Sequence, residues 1–412
     1  MINFEKTTLD NGLTVIVHHD KSTPIAAMNI IYKVGSRDES PDKTGFAHLF
    51  EHLMFGGSIN IPKYDEPLQN AGGENNAFTN NDYTNYYLTL PKNNLETAFW
   101  LESDRMLSLA FSEKSLEVQR SVVIEEFKQN YLNQPYGDIY LLLKPLAYKE
   151  HPYRWNTIGK EISHIENASM KDVKNFYNKF YNPNNAIMSV AGDVKPDEVY
   201  KLAEKWFGEI KKGEPINKSY DKEPNQLKDR VLKVERAVPQ NAIYMAWHMD
   251  KRNSRGFYET DLISDVLSNG DSSRLFAHLV KEKKMFSDIS AFVSGDLDEG
   301  LFIVSGKLIN GTTMEEAERA IDVELRHIAE NHISEDELQK IKNKIDSNLV
   351  FSKLSILNKA MNLGYYEMLG DASFLKSESE KYNSVSIQGI QKKAGELFAP
   401  GKKNKLIYLA KN

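Results

Sequence analysis

Cysteine is absent from all 412 residues, which excludes disulfides, thiol nucleophiles and thiolate metal ligands. Histidine and the carboxylates are left as the donors for any metal. Charge of one sign is missing too. Lys and Arg number 52 against 58 Asp and Glu, a net charge of -6, so there is no broad attraction to polyanions and nucleic acid is not an expected partner. The chain has no uncharged run long enough to span a bilayer, and Met1-Ile2-Asn3-Phe4-Glu5-Lys6 carries no apolar secretion-signal core. A cytoplasmic location is the expectation, with the periplasm open to a chain whose signal peptide has been removed. Gly56-Gly57 and Gly72-Gly73 lack the lysine and hydroxyl of a phosphate loop, which argues against a nucleotide enzyme.

What the chain does have is length for two domains of about 200 residues, each with its own core. Residues 13–17 and 26–32 read as an opening pair of strands behind the Asn11-Gly12 turn. Residues 84–90 alternate and stop at Pro91, 95–109 carry a helical period, and Ser112 can cap a helix running through Glu125-Glu126. Tyr181-Asn182-Pro183-Asn184-Asn185 turns the chain into a buried strand over 186–191. Residues 215–229 hold prolines, lysines and aspartates without an apolar period, the composition of a linker. The expected partition is therefore a metal-binding domain at 1–215, a linker at 216–229 and a homologous domain at 230–412. Beyond the linker the plan repeats, with strands at 242–248 and 301–308, helices at 257–267, 314–330 and 335–354, and a further helix start at 272–279. The run 385–398 followed by 405–410 echoes 170–180 followed by 186–191. Two copies of one α+β unit explain that order.

The densest chemical signal is Gly45-Phe46-Ala47-His48-Leu49-Phe50-Glu51-His52-Leu53-Met54-Phe55. On a helix His48 and His52 stand one turn apart on one face, with Glu51 beside them. His-x-x-Glu-His reverses the commoner zinc-protease order His-Glu-x-x-His, and both orders are metalloprotease signatures. A bare pair of histidines at i and i+4 is more often surface furniture than a site. Here Ala47, Leu49, Phe50, Leu53, Met54 and Phe55 wrap the helix in apolar side chains, and burying two imidazoles and a carboxylate without a metal or polar partner is costly. Two imidazoles do not complete a catalytic zinc shell, which has three protein ligands and one open position. The segment 119–127 supplies candidates. Glu126 shares a helical side with Val122, Val123 and Gln119, whereas Glu125 falls about 100° away, so the geometry favours Glu126. The plain alternative puts both acids on a solvated face. With the shell complete, Glu51 is placed to take a proton from water and pass it to a leaving amine.

These segments together resemble the pitrilysin and insulin-degrading enzyme superfamily of inverted zincins, in particular its short two-domain members related to the mitochondrial processing peptidase beta subunit. His48, Glu51 and His52 match the inverted motif, and Arg120-x-x-Val123-x-x-Glu126 matches the segment of the distal ligand. The likeness continues through Asn11-Gly12-Leu13-x-Val15, Gly35-Ser36-Arg37-Asp38-Glu39 and Asn75-Asn76-Ala77-Phe78-Thr79-x-x-Asp82-Tyr83-Thr84-x-Tyr86, and covers nearly the whole chain. The resemblance implies an α+β fold of two homologous domains, each a mostly antiparallel sheet packed with helices, forming a clam-like half chamber. It implies one zinc ion held by His48, His52 and Glu126, with Glu51 as the general base of an endopeptidase acting on extended or unfolded oligopeptides. Where several relatives place a glutamate as an outer partner of the site, this chain has Gln119, whose neutral amide tunes a metal less strongly. The stretch matching Asn76, Ala77, Phe78 and Thr79 is in relatives an edge strand that pairs with the substrate backbone. Asn76 has local turn bonding, and Phe78 an ordinary core position, as their simpler alternatives. His151-Pro152-Tyr153 resembles a family loop near the cleft and lies outside the catalytic assignment.

The second half contains no second His-x-x-Glu-His. Many active relatives contribute an arginine and a tyrosine there, from a segment Leu-Arg-Glu-Lys-x-Gly-Leu-Ala-Tyr, to grip substrate. Matching it to Leu279-Val280-Lys281-Glu282-Lys283-Lys284-Met285-Phe286-Ser287 places Val280 at the arginine and Ser287 at the tyrosine. The departure implies a homologous partner subunit that supplies the pair, hence a heterodimer, with a self-sufficient homodimer as the alternative. The runner-up function is a noncatalytic structural or assembly subunit. Intact His48, Glu51, His52 and Glu126 oppose it, because a scaffold has no physical need of both ligands and base.

Overall fold

A computed structural model describes residues 2–411. Its first sheet contains β1 (Glu5–Thr8), β2 (Thr14–His19), β3 (Ile25–Tyr32), β4 (Glu74–Thr79), β5 (Thr84–Pro91) and β6 (Ala186–Gly192), in the order β1-β2-β6-β3-β5-β4. Only β2 and β6 run parallel, with Thr14 opposite Ile187. The remaining neighbours are antiparallel, Asn29 of β3 lying opposite Ser189 on one side and Tyr87 on the other. The second sheet contains β7 (Arg230–Arg236), β8 (Ala242–Met249), β9 (Phe286–Val293), β10 (Gly300–Leu308) and β11 (Asn404–Ala410). Its order β7-β11-β8-β10-β9, with β7 and β11 as its parallel pair, matches β2-β6-β3-β5-β4 strand for strand. One α+β topology is built twice.

The compact units nonetheless depart from a single cut at 216–229. The first runs through Gln129 and takes Trp155–Tyr220 and Leu349–Ser377; the second takes Asn130–Arg154, Asp221–Asn348 and the chain from Glu378 onward. One crossing, Tyr220 to Asp221, falls inside the expected linker, but the partition into 1–215 and 230–412 misses both exchanged segments. The physical reason is that each sheet has two apolar faces and the helices of its own half cover one. In the first unit the other face takes the helix Ile356–Met368, whose Ala360 packs on Ala27 and Ala191 and whose Leu363 and Tyr366 pack on Ile16 and Ile187. The approach is close. A Cβ on Gly364 would stand 2.9 Å from Asn29 Nδ2 and 3.0 Å from Ser189 Oγ, and the Ser189 hydroxyl donates to the Ala360 carbonyl at 2.7 Å.

In the second unit the helix Ile139–Ala147 does the same, Leu143 and Ala147 packing with Ala242, Tyr244 and Ala246 of β8 and Leu301 and Ile303 of β10. The alternate residues Ile243, Met245, Trp247 and Met249 enter the main core with the helices Arg255–Ser268, Met314–Glu330 and Ile387–Leu397. Both faces of β8 are covered, which is why residues 242–247 read as an apolar run. The sequence reading missed both exchanged helices. Pro145 interrupts the first, and nothing local marks which sheet a helix will cover. Among the described residues no helix is long and apolar enough to cross a membrane.

Candidate metal centre

The helix Phe46–Leu53 buries Phe46, Ala47, Leu49, Phe50 and Leu53. Phe50 stacks on Phe176 at 5.0 Å and Tyr181 at 5.1 Å, so His48, Glu51 and His52 lie on the opposite side of the helix, where all three are half-buried. Gly45 starts the helix at φ 90°, and a Cβ there would lie 2.8 Å from the Ile158 carbonyl oxygen, a position only glycine fits. The helix Glu113–Phe127 starts where the Ser112 hydroxyl accepts the Ser115 N–H and buries Leu116, Val123 and Phe127. Arg120 fixes it from the side, donating to the Ala168 carbonyl at 2.6 Å.

These two helices bring His48, His52 and Glu126 together. The two imidazole Nε2 atoms are 3.3 Å apart, and Glu126 Oε2 is 3.7 Å from that of His48 and 3.5 Å from that of His52. A tetrahedral ion with bonds of about 2.0–2.2 Å separates its ligand atoms by about 3.3–3.6 Å. The triangle fits zinc, and the set of two nitrogens and one oxygen is the donor chemistry of a catalytic zinc site. Glu125 instead pairs with Lys128 at 2.7 Å and takes no part.

The electrostatics fit the same use. Burial holds the His48 imidazole down to about 4, which keeps it neutral and able to ligate. Glu126 is lowered, first by hydrogen bonding to His52, and stays a carboxylate. Glu51 is raised by burial against the pull of a hydrogen bond from Thr79, the direction a general base needs. His48 Nδ1 is buried and has no hydrogen-bond partner among the described residues.

β4 is an edge strand of the first sheet, paired only with β5, and carries Asn76, Ala77, Phe78 and Thr79. The Thr79 hydroxyl donates to Glu51 Oε2 at 2.7 Å, a role that sequence reasoning missed when it assigned this residue to backbone pairing alone. No local signal marks it, since the contact spans 28 residues. Asn76 is exposed, and its Oδ1 accepts the Ala77 N–H at 2.8 Å. Phe78 is half-buried against Tyr83 at 5.7 Å. Gln119 is half-buried on the helix that carries Glu126, outside the cluster of His48, His52 and Glu126. In the second unit Val280 packs against the main core, while the Ser287 hydroxyl is engaged by Gln240 at 3.0 Å. Lys284 takes φ 50°, the conformation natural to the glycine of the matching family segment.

Residues 14–153 match the family model described as insulinase (peptidase family M16), and residues 167–345 match the one described as peptidase M16 inactive domain. The chain is 29% identical over 400 residues to the zinc protease PqqE of Helicobacter pylori, covering 96% of this chain and 90% of that protein. It is 24% identical to the uncharacterized zinc protease YmxG of Bacillus subtilis, over 96% of this chain and 95% of the other. The probable mitochondrial-processing peptidase subunit beta of Schizosaccharomyces pombe is 31% identical over 209 residues, 50% of this chain and 45% of that protein. Among solved structures, a protease from Helicobacter pylori superposes with a TM-score of 0.94 at 28% identity, covering 99% of this chain and 100% of that one.

Proposed function

Because this chain belongs to the pitrilysin (M16) peptidase superfamily, as one of its short two-domain members, we propose that it is a zinc-dependent endopeptidase acting on extended or unfolded oligopeptides. The observation that carries the reading is the convergence of His48, His52 and Glu126 beside Glu51. His48, His52 and Glu126 would hold a divalent ion, which would supply Lewis acidity at the scissile carbonyl and at a bound water. Glu51 takes the proton of the attacking water and returns it to the leaving amine. Thr79 aims the Glu51 carboxylate through its 2.7 Å hydrogen bond. The open edge of β4 offers backbone N–H and C=O groups to an extended peptide, which favours recognition of main chain over side chain.

The chain acts as the metal-binding subunit of a heterodimer in this reading. Support comes from Val280 and Ser287, which stand where relatives carry the arginine and tyrosine. Neither residue supplies the missing donors. Loss of one such donor costs roughly 3 kcal/mol, so an isolated subunit turns over poorly. The test compares wild type with Glu51→Gln, each with and without a homologous chain that carries the pair. Wild type should hold one zinc and cleave peptides well only with the partner, and Glu51→Gln should keep zinc but lose hydrolysis. Hydrolysis surviving in Glu51→Gln contradicts the mechanism. Full turnover by a verified monomer contradicts the heterodimer.

A further inference from the structure

Glu39 ends the motif Gly35-Ser36-Arg37-Asp38-Glu39 and takes no part in the chemistry of water activation. It is only 7% exposed. Its Oε2 accepts the Gly45 N–H at 2.9 Å and its Oε1 accepts the Ala47 N–H at 2.8 Å, the first turn of the eight-residue helix that carries His48, Glu51 and His52. A helix start leaves four N–H groups without partners inside the helix, and the cap residue Gly45 has no side chain to supply one. A carboxyl six residues upstream does it instead. Burial pushes that carboxyl up to about 8, opposed by the Ala47 and Gly45 N–H groups. A group so costly to bury needs a reason for its position.

The platform under Glu39 is rigid. The Gly35 N–H donates to Asp38 Oδ2 at 3.0 Å, Arg37 pairs with Asp82 at 2.9 Å, and the Trp155 indole donates to the Ser36 carbonyl at 2.8 Å. Two bonds from a fixed point to one helical turn set both the height and the rotation of the helix. Rotation matters because a side-chain tip about 5–6 Å from the helix axis moves about 1 Å for a turn of about 10°, whereas ligand distances tolerate only about 0.2 Å.

We propose that Glu39 is the positioning residue of the metal helix, setting the rotation at which His48 and His52 meet Glu126. The inference rests on the metal-centre reading and deepens it. Glu39→Gln keeps the volume but replaces one accepting oxygen with an amide nitrogen that cannot accept. Zinc affinity, measured by competition with a chromophoric chelator, should weaken at least about tenfold, and the absorption bands of the cobalt-loaded protein should shift. Asn11→Ala serves as the control for lost stability alone. It removes hydrogen bonds to the Phe207 and Ile210 carbonyls in the same unit, and its zinc affinity should stay within twofold of wild type. Glu39→Gln with wild-type zinc affinity and an unchanged cobalt spectrum overturns the proposal, as does an equal loss in Asn11→Ala. If Glu39→Gln does not fold, Glu39→Asp, one methylene short of both N–H groups, is read by the same criteria. Wild type that binds no zinc condemns the metal-centre reading itself, a distinct result.

Discussion

The two sheets share a strand order but differ in the helix that succeeds their matching central strands. After β3 comes the short helix Phe46–Leu53, with two imidazoles and a carboxylate turned away from its core; after β8 comes Arg255–Ser268, which buries Glu259, Thr260 and Ser264 and carries no histidine. The acids of the second unit serve internal bonding. Asp261 accepts the Tyr382 hydroxyl at 2.5 Å, and Glu378 accepts that of Tyr258 at 3.0 Å. Edge strands differ likewise, for β4 delivers Thr79 to the Glu51 carboxylate while β9 ties Ser290 to Ser305 of β10. One topology thus carries a histidine–carboxylate cluster in one unit and internally bonded acids in the other, and the difference lies in a few side chains rather than in the frame.

Ablating a histidine in each unit probes that contrast most severely. His52→Ala should abolish stoichiometric zinc and lower kcat/KM by more than about 10³-fold, a loss of several kcal/mol of charge stabilisation. His278→Ala, which removes a partner of Glu324, should leave one zinc per chain. Metal analysis of both variants decides, and equal zinc in both erases the contrast. Core truncation comes next. Phe50→Ala and Trp247→Ala should each cost about 3–5 kcal/mol in urea unfolding, but only Phe50→Ala should weaken zinc binding, because Phe50 seats the metal helix on Phe176 and Tyr181.

A smaller effect separates the edge strands. Thr79→Val removes a hydrogen bond to a carboxylate, so kcat of the active assembly should fall about 10- to 100-fold with KM little changed. Thr79→Ser should restore it. Ser287→Ala in β9 should leave kcat unchanged, and a matching loss there contradicts the assignment. The smallest effect is in pH. In zinc-free protein His48 is held at about 4 instead of 6.5 by burial, so between those values the unfolded chain binds more protons than the folded one. The contribution of His48 to stability is complete above pH 6.5 and is lost as pH falls toward about 4. Urea midpoints of zinc-free wild type should therefore drop more over that range than those of His48→Gln; parallel curves count against a buried neutral imidazole.

Much of this was legible in the sequence because it is written locally. The His48, Glu51 and His52 spacing, the apolar stripe of Leu49, Phe50 and Leu53, and the Ser112 cap each lie within a few turns of one helix. Helical phase distinguished Glu126 from Glu125, although its approach to the imidazoles depends on how two helices pack. The long-range features were not legible. Thr79 reaches Glu51 across 28 residues, Glu39 caps a helix from a separate turn, and the helices Ile139–Ala147 and Ile356–Met368 cover sheets built mainly from the other half of the chain. Such pairings are decided by which faces are left open after local structure forms, and no periodicity records them.

Whether two histidines and a distant glutamate share one ion is decided most directly by a crystal of the zinc-loaded protein, with anomalous data collected at the zinc edge. One peak per chain is expected, bonded to His48 Nε2, His52 Nε2 and a carboxylate oxygen of Glu126, with Glu51 unligated beside it. A peak elsewhere, or one with Glu126 withdrawn from the imidazoles, contradicts the shared site.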